Sequence, residues 1–178
     1  MAEYFEKVQW RPVNATDTPV GPGLGPTLPI NLFDITIEEV TKVVRRLGAK
    51  KAAGKDGIYP VYWKALLSDI EAMEWITRLC QSCWKHKDVP DEWHEARVVA
   101  IYKKGDDSDP SNYRPISLLA VSYKVFAAVL LGRLKEGGAE ARTRATQFGF
   151  KSKAGTVDAL FIARRILDEA WAEKDGSI

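Results

Sequence analysis

The chain has 178 residues, of which 46% are apolar and 28% are charged, a composition that is typical of one folded domain and excludes general disorder. No apolar run approaches the roughly 18 residues of a membrane-spanning helix, and the first residues lack the apolar core of a secretory signal. The two cysteines, Cys80 and Cys83, are too few for a disulfide scaffold and favour a reducing compartment.

The net charge of +2 conceals two basic stretches. Residues 48–67 carry four lysines against one aspartate, and residues 98–153 carry ten lysines and arginines against five acidic residues. This local basic density predicts a polyanionic partner. The alternative is that these charges are the ordinary solvated faces of helices and loops.

The N-terminal 30 residues are predicted to be an upstream segment and a linker. Residues 1–10 could form the end of a helix, whereas residues 11–30 contain five prolines and three glycines and are expected to be extended. The first strong helix signal follows, because Thr36 and Glu39 have the spacing of a capping box. The apolar residues of this helix recur at helical intervals: Ile37, Val40, Val43, Val44 and Leu47.

A glycine-punctuated loop with three lysines, residues 50–60, precedes a second predicted helix over residues 68–87. Ser68 and Glu71 form another candidate capping box, and Pro90 is expected to end the helix. The apolar stripe of this helix is predicted to be Met73, Ile76, Leu79, Cys80, Cys83 and Trp84.

The two cysteines of this helix could be zinc ligands together with His86 and His94. The spacing of the two histidines is poor for a closed zinc site, and the cysteines lie within the apolar stripe. Core packing is therefore the favoured interpretation. The tryptophans at positions 63, 75, 84, 93 and 171 are also predicted to be core residues.

Residues 97–104 have the strongest strand pattern in the chain, and residues 113–119 can return beside them as the second strand of a hairpin. The connecting segment contains Asp106, Asp107 and Asp109, which could be taken for a metal cluster. Aspartate, serine and proline are turn-forming residues, so a polar turn explains this segment better.

A third helix is predicted over residues 122–135, and a fourth begins near Thr156. The loop between them carries Arg142, Arg144 and Lys151. The order helix, helix, hairpin, helix, helix defines an α+β fold in which helices dominate.

Three segments, taken in order, resemble the reverse transcriptases of non-LTR (LINE-type) retrotransposons. The first is Ala53-Gly54-Lys55-Asp56-Gly57-Ile58. The second runs from Ile101-Tyr102-Lys103-Lys104-Gly105-Asp106 to Asn112-Tyr113-Arg114-Pro115-Ile116-Ser117-Leu118-Leu119, and the third from Gln147-Phe148-Gly149-Phe150-Lys151 to Thr156-Val157-Asp158-Ala159. The chain departs from the usual family pattern in the first segment, where Lys55 stands in place of proline, and in the third, where Lys151 stands in place of arginine.

The resemblance implies that residues 31–178 are part of a polymerase domain, namely the fingers of a right-hand polymerase. The catalytic aspartates of the family lie in later palm motifs, so no residue here is expected to be catalytic. The full-length enzyme is expected to use Mg²⁺, and this chain alone is expected to bind none. The implied partners are an RNA template, a DNA primer, a deoxynucleoside triphosphate and the palm and thumb of the same polyprotein, in an intracellular nuclear or cytoplasmic ribonucleoprotein with no membrane contact.

The hairpin is predicted to bind the triphosphate of the incoming nucleotide. Arg114 is the first candidate because its guanidinium can grip phosphate oxygens with two hydrogen bonds, and Lys104, Lys151 and Lys103 follow. The alternative for Arg114 is an ion pair with Asp107 or Asp109. For Lys103 and Lys104 the alternative is plain solvated charge.

A second set of residues is predicted to contact the template through its backbone. This set consists of Lys50, Lys51, Gly54, Lys55, Gly57, Gln147 and Phe148. The alternative for the basic loop is a solvated loop. Phe148 and Phe150 could stack on a base, although packing is the more usual role of such side chains. For the chain as a whole, the alternative is a non-catalytic nucleic-acid-binding or structural module descended from a retrotransposon.

Overall fold

A computed structural model of the chain describes residues 1–9 and 26–174. The predicted linker over residues 11–30 therefore lies mostly outside the described residues. The helices are α1 (Ala2–Gln9), α2 (Ile37–Arg46), α3 (Pro60–Ala65), α4 (Ile70–His86), α5 (Val121–Glu136) and α6 (Thr156–Lys174). The strands are β1 (Arg97–Tyr102) and β2 (Tyr113–Leu118). Helices thus dominate and the strands form one hairpin, as the sequence predicts.

The described parts of the chain divide into two compact units. Among the described residues, the first comprises residues 1–9, 26–27 and 31–132, and the second comprises residues 28–30 and 133–174. The first unit contains the hairpin and the main core. The second contains the loop that precedes α6. Within the described ranges, no helix is both long enough and apolar enough to cross a membrane.

The core of the first unit forms around α2, α4 and the first part of α5. Thr36 caps α2 as predicted, because its side chain accepts a hydrogen bond from the Glu39 amide and the Glu39 carboxylate accepts one from the Thr36 amide. The most deeply buried side chains of this core are Ile35, Val40, Val44, Cys80, Val121 and Val125. Successive turns of α2 and of α5 therefore contribute valine side chains to one interior, which Ile35 and Cys80 of α4 also enter.

The start of α4 differs from the prediction. The helix begins at Ile70, and its N-cap is Asp69, whose carboxylate accepts a hydrogen bond from the Ala72 amide at 3.1 Å. The prediction that Ser68 and Glu71 form a capping box is therefore wrong. The Ser68 hydroxyl instead donates to the Ala65 carbonyl, and this contact closes the short turn that precedes the helix.

The end of α4 also differs from the prediction. Lys87 adopts the left-handed conformation at φ 54°, which ends the helix at His86 before Pro90 is reached. Pro90 instead precedes a short 3₁₀ turn over residues 91–94. The helix therefore ends because Lys87 leaves the helical conformation, and the prediction that Pro90 ends the helix is wrong.

The buried face of α4 is mostly the predicted one. Met73, Ile76, Cys80 and Cys83 are buried, but Leu79 is exposed and Thr77 is buried in its place. The Thr77 hydroxyl is satisfied because it donates to the Met73 carbonyl. The burial of both cysteines among apolar neighbours confirms that they are core residues.

The five tryptophans that are predicted to be core residues are only partly buried as a group. Trp93 is buried, and Trp63 and Trp84 pack against the core of the first unit. Trp75 and Trp171 are 68% and 61% exposed, so the prediction that these two are core residues is wrong. Trp75 lies against the guanidinium of Arg78, one turn away on α4, with the Arg78 Cζ 4.7 Å from the ring centre.

Candidate nucleic-acid interface

The register of the hairpin determines which cations share a face. The strands are antiparallel, with Ile101 opposite Arg114 and Tyr102 opposite Tyr113. The Lys103 amide donates to the Asn112 carbonyl at 2.8 Å, so the pairing continues one residue beyond β1. Side chains alternate between faces, which places Lys103 diagonally from Arg114 on the same face, with Cα atoms about 7–8 Å apart.

Lys104 lies beyond this last paired residue, so the ladder does not assign it to a face. The register therefore favours Lys103 over Lys104 as the lysine that accompanies Arg114. All three side chains are exposed. Strand pairing positions the backbone at Lys103 and Arg114, and Tyr102 and Tyr113 form a packed aromatic pair at the same end of the hairpin, with ring centres 5.4 Å apart.

Two of the three aspartates of the hairpin turn, Asp106 and Asp109, are hydrogen-bonded within the turn itself. The Asp106 carboxylate accepts hydrogen bonds from the Ser108 hydroxyl and amide, and the Asp109 carboxylate accepts the same pair from Ser111. These hydrogen bonds, the hydroxyl bond first, lower the pKa of each carboxyl. The turn interpretation of these aspartates is confirmed.

Within the described ranges, no carboxylate lies within salt-bridge distance of Arg114. The alternative of an ion pair with Asp107 or Asp109 is therefore not what the structure contains. The guanidinium projects into solvent from a paired strand, which is an arrangement that can receive an anion.

Two glycines of the basic loop, residues 50–57, have different surroundings. Gly54 is buried, and a Cβ atom at this position would lie 2.6 Å from the Ala120 nitrogen and the Leu119 carbonyl carbon. The space that the missing side chain of Gly54 leaves is therefore occupied by the chain's own backbone just after β2. Gly57 has φ 70°, a conformation that favours glycine, and nothing lies within 4 Å of its added Cβ.

The lysines of this loop differ in their surroundings. Lys50 and Lys51 are exposed, and neither has an ion-pair partner in the part of the chain that is described. Lys55 instead forms an ion pair with Glu95. This pair lies at a cavity of about 370 Å³ whose lining also includes Trp93 and Ser122, joined by a hydrogen bond from the indole nitrogen to the hydroxyl at 2.8 Å.

The second unit brings together two residues that the sequence assigns to different ligands. Gln147 and Lys151 line one open cavity of about 520 Å³. Phe148 is half-buried, whereas Phe150 is fully exposed, so packing is the wrong interpretation of Phe150. Arg142 and Arg144 line the same cavity and were not among the predicted site residues. Their only sequence signal is the local excess of basic residues.

The acidic residues do not suit the Mg²⁺ that a polymerase requires. Within residues 1–9 and 26–174, no three His, Cys, Asp or Glu side chains form a group that could hold a metal ion. The described residues therefore do not fit a Mg²⁺ site, and no chemical step is assigned to one.

These features together define an α+β module that presents unpaired cations on a rigid hairpin, on a basic loop and around a cavity. Such a surface is typical of proteins that bind nucleotides or nucleic acids. No protein-family model matches the chain.

Individual relatives are nevertheless similar over most of the chain. The probable RNA-directed DNA polymerase from transposon BS of Drosophila melanogaster is 28% identical over 84% of this chain and 16% of the relative. The Pol polyprotein of retrotransposable element R1 of Bradysia coprophila is 32% identical over 71% of the chain and 12% of the relative. The probable RNA-directed DNA polymerase from the X-element of Drosophila melanogaster is 30% identical over 88% and 17%.

The chain is a homologue of the RNA-directed DNA polymerases of non-LTR retrotransposons. It spans between 12% and 17% of the length of the three relatives described above. The resemblance carried by the three sequence segments is thereby confirmed.

Proposed function

We propose that the chain is the fingers part of an RNA-directed DNA polymerase, in which the hairpin receives the triphosphate of the incoming deoxynucleotide and the basic loop supports the template. The observation that carries this proposal is the register, which places Arg114 and Lys103 on one face near the turn that connects the two strands of the hairpin. Both are exposed, and Arg114 is free of acidic partners in the described parts of the chain.

The two cations differ in what they offer a phosphate. The planar guanidinium of Arg114 can donate two parallel hydrogen bonds to phosphate oxygens, whereas the Lys103 ammonium acts as a point charge. The Asp106 and Asp109 carboxylates accept hydrogen bonds from Ser108 and Ser111, and neither forms an ion pair with Arg114. Strand pairing holds the two cations in place before the nucleotide arrives, which reduces the entropy lost on binding.

The template part of the proposal is supported by how the basic loop is held. The buried contact between Gly54 and the backbone of Leu119 and Ala120 anchors the loop beside the chain that leaves β2. Hairpin and loop therefore belong to the same unit and are joined at their bases. Lys50 and Lys51 can contact phosphates of any sequence, as a template site must.

The remaining parts of polymerase function are also proposals. DNA synthesis would require the catalytic aspartates, the Mg²⁺ ions and the primer contacts that the family resemblance assigns to palm and thumb. The proposed setting is an intracellular ribonucleoprotein. In this scheme the present residues bind and orient the nucleotide and the template, and the metal-dependent step belongs to other residues.

The hairpin proposal is tested by nucleotide binding. We expect a fluorescent deoxynucleoside triphosphate to bind the 178-residue chain more tightly than the matching nucleoside. Arg114→Gln should weaken triphosphate binding by about ten- to a hundredfold, since a charge-assisted hydrogen bond is worth roughly 1.5–3 kcal/mol. Fluorescence anisotropy measures both affinities. Arg114→Lys should recover only part of the loss, because lysine lacks the fork.

Arg45→Gln is the matched control, because Arg45 is an exposed arginine on α2 and its replacement removes the same charge. Equal affinities for the Arg114→Gln and Arg45→Gln variants would refute the hairpin role. If RNA binding then persisted, the chain would instead be a nucleic-acid-binding module without a nucleotide site.

A further inference from the structure

Three side chains at the ends of the hairpin strands donate hydrogen bonds to three successive carbonyls of the turn that connects them. The donors are the Tyr102 hydroxyl, the Asn112 side-chain amide and the Tyr113 hydroxyl, and the acceptors are the carbonyls of Gly105, Asp106 and Asp107, in that order. Because the turn lies outside the strand ladder, these contacts hold backbone groups that the ladder does not reach.

Asn112 is the residue at which these contacts converge, because it is hydrogen-bonded through its amide, its carbonyl and its side chain. Its amide donates to the Asp109 carbonyl at 3.0 Å, and its carbonyl accepts from the Lys103 amide at 2.8 Å. Its side-chain amide donates to the Asp106 carbonyl at 2.8 Å. An added Cβ at Gly105 would lie 2.8 Å from the Asn112 side-chain nitrogen, so this side chain also fills the space that the glycine leaves.

Lys103 is held by the short 3₁₀ turn Pro110–Asn112. Its amide donates to the Asn112 carbonyl, and its ammonium lies 3.5 Å from the Ser111 carbonyl. Arg114, in contrast, lies within the paired part of β2. Since Lys103 is one residue beyond the end of β1, its position depends on the 3₁₀ turn, whereas the position of Arg114 depends on the strand ladder.

We infer that Asn112 is a positioning residue for the triphosphate: its side chain fixes the 3₁₀ turn, and the turn holds Lys103 beside Arg114. The inference rests on the proposed function, since the ligand is the triphosphate that the two cations are proposed to receive. A lysine has a long flexible stem, so an ammonium that is already held near its binding position loses less entropy when it meets a phosphate. Asn112 itself does not contact the phosphates in this arrangement.

The turn can serve this purpose because it contributes little to the stability of the fold. No residue of the range 103–112 belongs to the apolar core of the described residues. Asp106 is exposed, and its carbonyl also accepts from the Asp109 amide at 3.3 Å. Removal of the Asn112 side chain therefore leaves no buried polar group unsatisfied, and it should loosen the turn without unfolding the chain.

The test measures the affinity of the 178-residue chain for a fluorescent deoxynucleoside triphosphate by anisotropy. Asn112→Ala should weaken binding by about threefold to tenfold, the equivalent of one lost hydrogen bond. Lys103→Gln should weaken binding about tenfold, because it removes a charge that contacts phosphate. In the Lys103→Gln background, Asn112→Ala should weaken binding by less than about twofold, since the lysine through which it acts is absent.

Asn31→Ala is the matched control. Asn31 is an exposed asparagine of the same unit, and its side chain also makes a local hydrogen bond, which it accepts from the Phe33 amide at 3.0 Å. This variant should bind the triphosphate as the unmodified chain does. Urea denaturation should give the same midpoint for Asn112→Ala as for the unmodified chain, whereas a purely structural role of Asn112 would lower the midpoint.

Tyr113→Phe is a second, milder variant. It removes the hydroxyl that donates to the Asp107 carbonyl and keeps the ring that packs against Tyr102. It should weaken triphosphate binding by about two- to threefold, and again only while Lys103 is present.

Failure of the inference and failure of the proposed function give different results. If Lys103→Gln and Arg114→Gln bind the triphosphate as the unmodified chain does, the proposed function fails and the inference fails with it. If those two variants bind weakly but Asn112→Ala binds as the control does, only the inference is overturned. An equal loss from Asn112→Ala with and without Lys103 also overturns it, because the effect would then not depend on the lysine.

Discussion

At the scale of single residues, the ion pair between Lys55 and Glu95 controls how much charge the basic loop offers. Both side chains are more than half exposed, at 65% and 54%, so the pair contributes little to stability. Its consequence is for binding, because a template phosphate must compete with the Glu95 carboxylate for the Lys55 ammonium. Lys50 and Lys51 have no such competitor among the described residues.

We predict that Glu95→Gln strengthens RNA binding by about two- to fivefold at low salt, because an exposed charge pair is worth about 0–1 kcal/mol and its removal frees Lys55. Anisotropy with a labelled oligonucleotide measures the gain. Glu92→Gln is the control, since Glu92 lines the same cavity and loses the same charge. An equal gain in both variants would show that only net charge matters.

The buried thiols give a second prediction at this scale. Burial is the main cause that raises the pKa of Cys80, to about 12, and also the pKa of Cys83. Since these folded pKa values exceed the ordinary value of 9.0, the contribution of the thiols to stability is fully present below about pH 9. It is lost as the pH rises from 9 towards 12, because ionisation then favours the unfolded chain.

The measurement is alkylation by iodoacetamide at pH 8. Both thiols should react far more slowly in the folded chain than in urea, because only the thiolate is nucleophilic and burial suppresses it. Urea unfolding at pH 8 and pH 10 should give a lower free energy of unfolding at the higher pH. Rapid modification of either cysteine under native conditions would contradict the core assignment.

At the scale of elements, Gly54 joins the basic loop to the end of the hairpin. Gly54→Ala would place a methyl group 2.6 Å from the backbone at Leu119 and Ala120, and backbone at that point cannot move aside cheaply. We predict a loss of about 1–3 kcal/mol in the free energy of unfolding, measured by urea denaturation. RNA affinity should fall as well, because the loop would shift.

Gly132→Ala provides the comparison for this substitution. Gly132 lies within α5, and nothing lies within 4 Å of an added Cβ. Alanine there should stabilise the chain by about 0.5–1 kcal/mol, since it lowers the entropy lost on forming the helix. If the two substitutions change the free energy of unfolding in opposite directions, the effect of the Gly54 contact is separated from the general effect of replacing glycine.

The elements that local sequence specifies are the ones that were predicted well. The Thr36 capping box, the hairpin strands and the start of α6 follow from short-range patterns, and each lies where those patterns indicate. The helix α3 was missed because six residues are too few to show helical periodicity. Its one local signal is Pro60 at the first helical position.

The remaining errors concern choices that tertiary contacts make. Ser68 and Asp69 are both acceptable caps one residue apart, and the structure uses Asp69. Trp75 and Trp171 lie on helices, but which helix face is buried depends on the packing of distant elements. The Lys55–Glu95 pair joins residues that are 40 positions apart, so no local pattern could have revealed it.

At the scale of the whole molecule, each of the two units carries unpaired cations: Lys50 and Lys51 in the first, and Arg142, Arg144 and Lys151 in the second. Each phosphate contact with a single strand contributes about −0.7 to the slope of log affinity against log salt. Two contacts with the first unit would give a slope near −1.4 and three contacts with the second a slope near −2.1, so affinity should fall roughly sevenfold and twentyfold, respectively, between 50 and 200 mM salt. Oligouridylate and oligoadenylate of equal length should bind within about threefold of each other, because phosphate contacts carry no sequence information.

The slope also assigns the contacts to the two units. Lys50→Gln/Lys51→Gln should reduce it by about 1.4, and so should Arg142→Gln/Arg144→Gln, because each variant removes two phosphate contacts. A slope near zero in the unmodified chain would mean that its cations are ordinary solvated charge. A strong preference for one base would show that recognition depends on base edges rather than on the backbone.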